Sequence, residues 1–154
     1  MSIENIKMSG RLRVEQFSNG ELVKDSGWIQ NVITTNGKNS LASLLNSASA
    51  GTSVVTHMGF GSSTTAVAAS DTALGTELSG NGYTRVAVTR SNPSGNVIQY
   101  VATLTGITAS TTVQEVGLLS ASSGGTLFAH QLTGAYNLAQ SADSLQVTWQ
   151  VTFN

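Results

Sequence analysis

The chain of 154 residues contains no cysteine, which excludes disulfide stapling, thiolate catalysis and cysteine metal sites together. Stability therefore has to come from packing or assembly. Charge is the second shortage. Only 10% of the residues are charged and the net charge is −1, against roughly 25% charged residues in ordinary soluble domains. The surface this implies is polar through Ser, Thr, Asn and Gly, and it has no basic stripe to neutralise phosphates, so no nucleic-acid partner is expected. Long apolar runs are missing as well. The stretches at 42–55 and 64–73 are broken by polar residues and fall short of the ~20 apolar residues that a spanning helix needs, so no membrane partner is expected. The opening MSIENIKMSG lacks a charged segment followed by an apolar one, so no secretory signal is expected. The single proline, Pro93, blocks the one near match to a glycosylation signal, Asn92-Pro93-Ser94. All of this fits synthesis and assembly in a cytoplasm.

Residues that perform chemistry are equally scarce. There are two histidines, His57 and His130, and beyond residue 38 only four acids, Asp71, Glu77, Glu115 and Asp143. None shows the i, i+4 or C-x-x-C spacing of metal ligands, so no metal, no cofactor and no catalytic residue is expected, and the chain reads as a non-enzyme. Gly59-Phe60-Gly61-Ser62-Ser63 lacks both the third glycine of a dinucleotide loop and the Gly-x-Ser-x-Gly spacing of a nucleophile elbow. Asn36-Gly37-Lys38-Asn39 reads as a helix start and not as a phosphate loop. His130, on a strand face shared with Phe128 and Leu132, reads as a satisfied or interfacial histidine. Glu115 stands inside the apolar run Val116-Gly117-Leu118-Leu119, where burying an unpaired carboxylate would cost several kcal/mol. It therefore needs a partner, unless it points to water. Arg85 and Arg90, the only arginines of the body, are the candidates for a structural ion pair with Glu115, within a subunit or across an interface.

What is abundant is extended pattern. Residues 145–153 alternate Leu145, Val147, Trp149, Val151 and Phe153 with Gln146, Thr148, Gln150 and Thr152, the period of two of a half-buried strand. A slip of one residue would turn Trp149 to water, so the register is firmly specified. Residues 11–17 alternate in the same way and run into Asn19-Gly20, a strong hairpin signal; residues 28–34 are expected to continue that sheet after Gly27. Leu41, Leu44 and Leu45 at i, i+3 and i+4 predict one short helix over about 38–46, capped by Thr35 or Asn36. Residues 47–82 are long and weakly patterned, as functional or clamped segments are. Strands are then expected at 83–90 and 97–104, joined by a turn at Asn92-Pro93-Ser94-Gly95, and at 112–119 and 126–132, with 134–144 as a loop that carries Tyr136. Roughly eight short strands, one helix and no βαβ rhythm predict a mainly β fold, a β-sandwich or jelly roll. Residues 1–10 read as an N-terminal arm and 11–154 as one β-sandwich domain. Most of the positive charge lies in the first 38 residues, so Ile3, Ile6, Met8, Arg11 and Arg13 are the candidate subunit or partner interface.

The succession of Asn31-Val32-Ile33-Thr34-Thr35-Asn36-Gly37, the leucine helix, Met58-Gly59-Phe60-Gly61-Ser62-Ser63, Leu74-Gly75-Thr76-Glu77-Leu78, Glu115-Val116-Gly117-Leu118-Leu119, Gly124-Gly125-Thr126-Leu127-Phe128-Ala129 and the closing strand resembles a widespread group of small tailed-bacteriophage virion proteins. These pieces span about three quarters of the chain; at Leu119 the group often has Phe. The resemblance implies a virion structural protein, most like a head decoration or cement protein. Such a protein sits on the capsid exterior as a homo-oligomer, often a trimer, with the major capsid protein as partner, after assembly in the host cytoplasm. The resemblance supplies no catalytic residues. A tail, baseplate or head-fibre module that attaches to host polysaccharide is the other reading, and exposed aromatics such as Tyr136 would favour it.

Overall fold

The computed structural model describes residues 6–46 and 54–154. The strands are β1 (Met8–Ser18), β2 (Glu21–Gln30), β3 (Val32–Ile33), β4 (His57–Gly61), β5 (Val86–Ala87), β6 (Thr89–Ser94), β7 (Val97–Leu104), β8 (Thr111–Leu119), β9 (Leu127–Leu138) and β10 (Asp143–Phe153), with one helix, α1 (Thr35–Leu45), after β3. They form two five-stranded sheets, ordered β2-β1-β10-β7-β6 and β3-β9-β8-β4-β5, and every pairing is antiparallel. The fold is a β-sandwich, as the sequence predicts.

The closing strand occupies the centre of the first sheet. β10 pairs with β1 on one side and β7 on the other with no shift of register. Leu145, Val147, Trp149 and Val151 point inward with at most 1% exposure. They meet Met58, Phe60, Val116, Leu118 and Tyr136 of the second sheet in one core cluster. Burying side chains of this size is the main stabilising term, about 1.5–3 kcal/mol each. Asn19 and Gly20 connect β1 to β2 with φ of 51° and 81°, the left-handed pair that a two-residue hairpin turn demands.

Several expectations are corrected. Residues 28–34 do not stay in one sheet: the chain passes from the first sheet to the second at Asn31, whose Oδ1 accepts the Trp149 indole N–H at 3.1 Å. Glycine is required at position 10 for this side chain to tuck in, because a Cβ there would lie 2.0 Å from Asn31 Oδ1. The helix begins earlier than expected. Thr34 is its cap, its hydroxyl accepting from Gly37 N at 2.9 Å. Thr34 is fully buried, so the same hydroxyl can also donate to the Leu127 carbonyl at 2.5 Å, which the exposed Thr35 and Asn36 cannot do. The turn between β6 and β7 lies at residues 95–96, so of the expected Asn92-Pro93-Ser94-Gly95 only Gly95 belongs to it. Pro93 sits within edge strand β6, beside a register shift, where its missing N–H costs no ladder bond. β9 runs into the expected 134–144 loop as far as Leu138, and Tyr136 is a core residue with 1% exposure. The arm expected over 1–10 is shorter in what is described: β1 begins at Met8, which pairs with Phe153 and packs on the core.

Candidate functional site

The two outer faces of the sandwich are built differently. On the second sheet, glycines clear the surface. Gly59 and Gly61 of β4 lie opposite Gly117 and Glu115 of β8, so this part of the sheet lacks the side chains that would fend off a covering segment. A Cβ on Gly117 would meet Leu127 Cδ1 and Leu74 Cδ2, each at 2.8 Å, and one on Gly61 would meet Glu115 Oε1 at 2.2 Å. Into that space settles the segment 62–78. Its ends are zipped together by Ser62 N to Thr76 O at 2.9 Å and Leu78 N to Phe60 O at 2.8 Å, and Leu74 closes a second small cluster with Leu119 and Leu127.

Glu115 latches this segment. Its side chain is 0% exposed, and each oxygen accepts two bonds: Oε1 from Thr76 N at 2.7 Å and Ser63 N at 3.3 Å, Oε2 from His130 Nε2 at 2.7 Å and Gly75 N at 3.0 Å. The other ring nitrogen of His130, Nδ1, lies 3.0 Å from Asp71 Oδ2, which also accepts from Ala68 N at 2.8 Å. Ionised carboxylates only accept, so with both ionised the imidazole donates from both nitrogens and carries a positive charge. Asp71 lies below its ordinary value of 3.8, first through the Ala68 N–H and then through His130. A ring that donates a hydrogen bond from both nitrogens to carboxylates keeps both protons and has no lone pair left for a substrate proton. The chemistry of this cluster is retention of a backbone segment by a buried charge.

Glu115 therefore does have a partner, but not the one expected. Arg85 is turned the other way: its guanidinium makes a bidentate pair with Glu77, Nε to Oε1 at 2.5 Å and Nη2 to Oε2 at 2.9 Å, which raises the arginine above its ordinary value. It also donates to the carbonyls of Ala121 at 2.9 Å and Gly124 at 2.6 Å. Arg90 lies exposed on edge strand β6 and is not among the groups bonded to Glu115. The proposed Glu115, Arg85 and Arg90 set is thus corrected to Glu115, His130 and Asp71, with Arg85 and Glu77 as a separate clamp. The reason is register: a bulge at Phe128 in β9 sends Phe128 into the core while His130, opposite Gly117, shares the outer face with Glu115. Phe128 and His130 consequently do not share the face that strict alternation assigns them. Asp71, 44 residues upstream of Glu115, carries no sequence signal of its own.

The outer face of the first sheet is open, with no described element across it. From β1 it presents Arg11, Arg13 and Glu15, opposite Gln150, Thr148 and Gln146 of β10, which face Gln99, Val101 and Thr103 of β7. Arg11 donates to Gln150 Oε1 from Nε at 3.0 Å and Nη2 at 2.9 Å, and Gln150 Nε2 donates to Gln99 Oε1 at 2.9 Å. Arg13 bonds Asp25 through both Nε and Nη2, and with the Gly27 N–H this holds Asp25 down at about 2. At the rim, Trp28 is 43% exposed, with the Arg11 guanidinium 4.2 Å from its ring centroid.

Of the candidate interface residues, Arg11 and Arg13 thus stand together on the open face. Met8 is half-buried against the core. Ile6, just ahead of β1, is 84% exposed, and Ile3 lies outside the described residues. Trp28 was missed as an exposed aromatic because its run reads as a strand, and alternation alone does not tell which face of an edge strand is covered. No protein-family model, curated protein or solved structure matches this chain.

Proposed function

We propose that this chain is a structural protein of a tailed-bacteriophage virion, a head decoration protein that binds the outer capsid surface as a homo-oligomer, with a trimer as the expected form, and stabilises it. The observation that carries this reading, alongside the sequence resemblance, is where exposed apolar side chains collect. Among the described residues, Ile6, Leu22, Val23 and Trp28 are the large hydrophobic residues left exposed, and all lie on β2 or just ahead of β1. An edge strand that leaves apolar side chains exposed along an otherwise polar surface offers an edge for contact with other protein. The role needs no reaction. Each copy would span joints between capsid subunits, and the contact area would resist the pressure of packaged DNA; a low surface charge limits repulsion between crowded copies.

The test is co-sedimentation of the purified protein with expanded capsids, followed by heating of particles with and without it. Binding at defined stoichiometry and greater resistance to heat and chelator are expected. Failure to bind, or equal resistance without it, removes the decoration role. A tail, baseplate or head-fibre module that attaches to host polysaccharide is the second reading, and one observation favours it: the half-exposed indole of Trp28 on an open, polar sheet face.

A further inference from the structure

We propose that the open face of the first sheet is a binding platform for an uncharged polysaccharide chain, with Trp28 stacking on a sugar ring and the Arg11, Gln150 and Gln99 row bonding its hydroxyls. This goes beyond the decoration reading and rests on the attachment reading for its biological setting.

The geometry is that of a regular, preset surface. β1, β10 and β7 pair without a shift of register, so side chains line up in straight rows across three strands about 4.8 Å apart, with successive rows on a face about 6.8 Å apart. The Arg11–Gln150–Gln99 row is held by its own hydrogen bonds of 2.9–3.0 Å, so little side-chain freedom remains to be lost on binding. Arg11 also orients the indole, its guanidinium 4.2 Å from the Trp28 ring centroid, while 43% of the tryptophan stays exposed.

The chemistry selects the partner. Gln and Thr side chains each offer both a donor and an acceptor, as sugar hydroxyls do, so a hydroxylated chain can be satisfied wherever it crosses a row. The charges of the face cancel: Arg11 and Arg13 stand against Glu15 and Asp25, with Arg13 already bonded to Asp25. An anionic chain would meet the two acids and a cationic one the two arginines. The indole supplies a rigid apolar plane suited to the C–H face of a pyranose. A second copy of this protein is the weaker occupant. A stable interface needs about 800 Å² from each partner with an apolar centre, and here the central strand β10 presents only Gln146, Thr148, Gln150 and Thr152, while the apolar groups Phe17, Leu22, Trp28, Val97 and Val101 lie on the strands to either side.

The experiment is affinity electrophoresis of the full chain through gels that contain dextran, galactomannan or hydroxyethylcellulose, with hyaluronate as the anionic control and sedimentation velocity run in parallel. Retardation by at least one neutral polymer and not by hyaluronate is expected. Trp28→Ala should weaken binding by about tenfold or more, as loss of an aromatic anchor does, and Gln150→Ala by about threefold, as loss of a hydrogen bond does, both with unchanged urea midpoints. No retardation in any neutral gel, stronger retardation by hyaluronate, or indifference to Trp28→Ala overturns the proposal. So does self-association of the parent chain that Trp28→Ala abolishes, which assigns the face to a second copy. Labelled protein found on the capsid lattice would defeat the attachment reading and leave a positive binding result standing, so the two fail separately.

Discussion

The two outer faces of this sandwich start from the same alternation and end in opposite states. On the second sheet, Gly59, Gly61 and Gly117 leave a depression, and the segment 62–78 fills it, latched by a carboxylate with no solvent exposure. On the first sheet, the matching outward positions hold Arg11, Arg13, Gln150 and Gln99, side chains too long and too polar for another segment to cover. The face this protein leaves open follows from side-chain length at outward strand positions. Short residues invite the chain to cover itself; long planar ones keep a surface open and already arranged.

The contrast breaks most completely at Glu115. Glu115→Ala leaves three backbone N–H groups and His130 Nε2 without their acceptor, and stranding several buried polar groups at about 1–3 kcal/mol each makes this the largest loss. The urea midpoint should drop accordingly, and amides of 62–78 should lose hydrogen-exchange protection before the rest. Leu74→Ala attacks the same cover through its apolar half. Leu74 is 7% exposed beside Leu119 and Leu127, and a loss of about 2–4 kcal/mol in a denaturant titration is expected. Gly117→Ala tests whether the depression is needed. Its Cβ would sit 2.8 Å from two leucine methyls, which are flexible ends that can shift, so a smaller loss of about 1–2 kcal/mol is expected.

Acid sharpens the comparison further. Asp71 is depressed below 3.8 in the folded chain, so the unfolded chain binds its proton first as the pH falls. The stability this contributes is complete above the ordinary carboxylate range and is lost as the pH drops through the depressed native value. The parent should therefore lose stability in acid more steeply than Asp71→Asn, and the two midpoints should converge at the acid end. On the open face, Arg13→Ala should matter least. Its pair with Asp25 is strong by geometry yet solvent-exposed, where screening leaves such pairs little net worth, and the urea midpoint should hold steady in low and high salt. A large shift there would show that the open face is a structural element and not a spare surface.

Much of this was legible in the residues. The closing strand, the Asn19-Gly20 hairpin and the sandwich of short strands follow from a period of two and from turn chemistry, which act over a few residues. The need of Glu115 for a partner also follows, because the cost of burying a charge does not depend on knowing the fold. Who the partner would be did not. Arg85 and Arg90 were the obvious cations by charge, but a bulge at Phe128 brings His130 round to the outer face, and a bulge is one extra residue that no local pattern announces. Tyr136 left its expected loop for the core because glycine at position 134 reads as a loop yet lies within β9, and the exposure of Trp28 on its expected strand followed from an edge whose open side shows only in space.

Composition and nearest-neighbour periodicity, acting through short-range physics, were enough for the class of architecture, the inward set of the central strand, and a surface low in charge and without thiols. Which outer face is sealed and which stays open emerges only in three dimensions. That choice depends on residues 59, 61, 71, 115, 117 and 130 meeting across four chain segments, and the energy of a buried carboxylate is settled by groups that lie far away along the chain and within 3.3 Å in space.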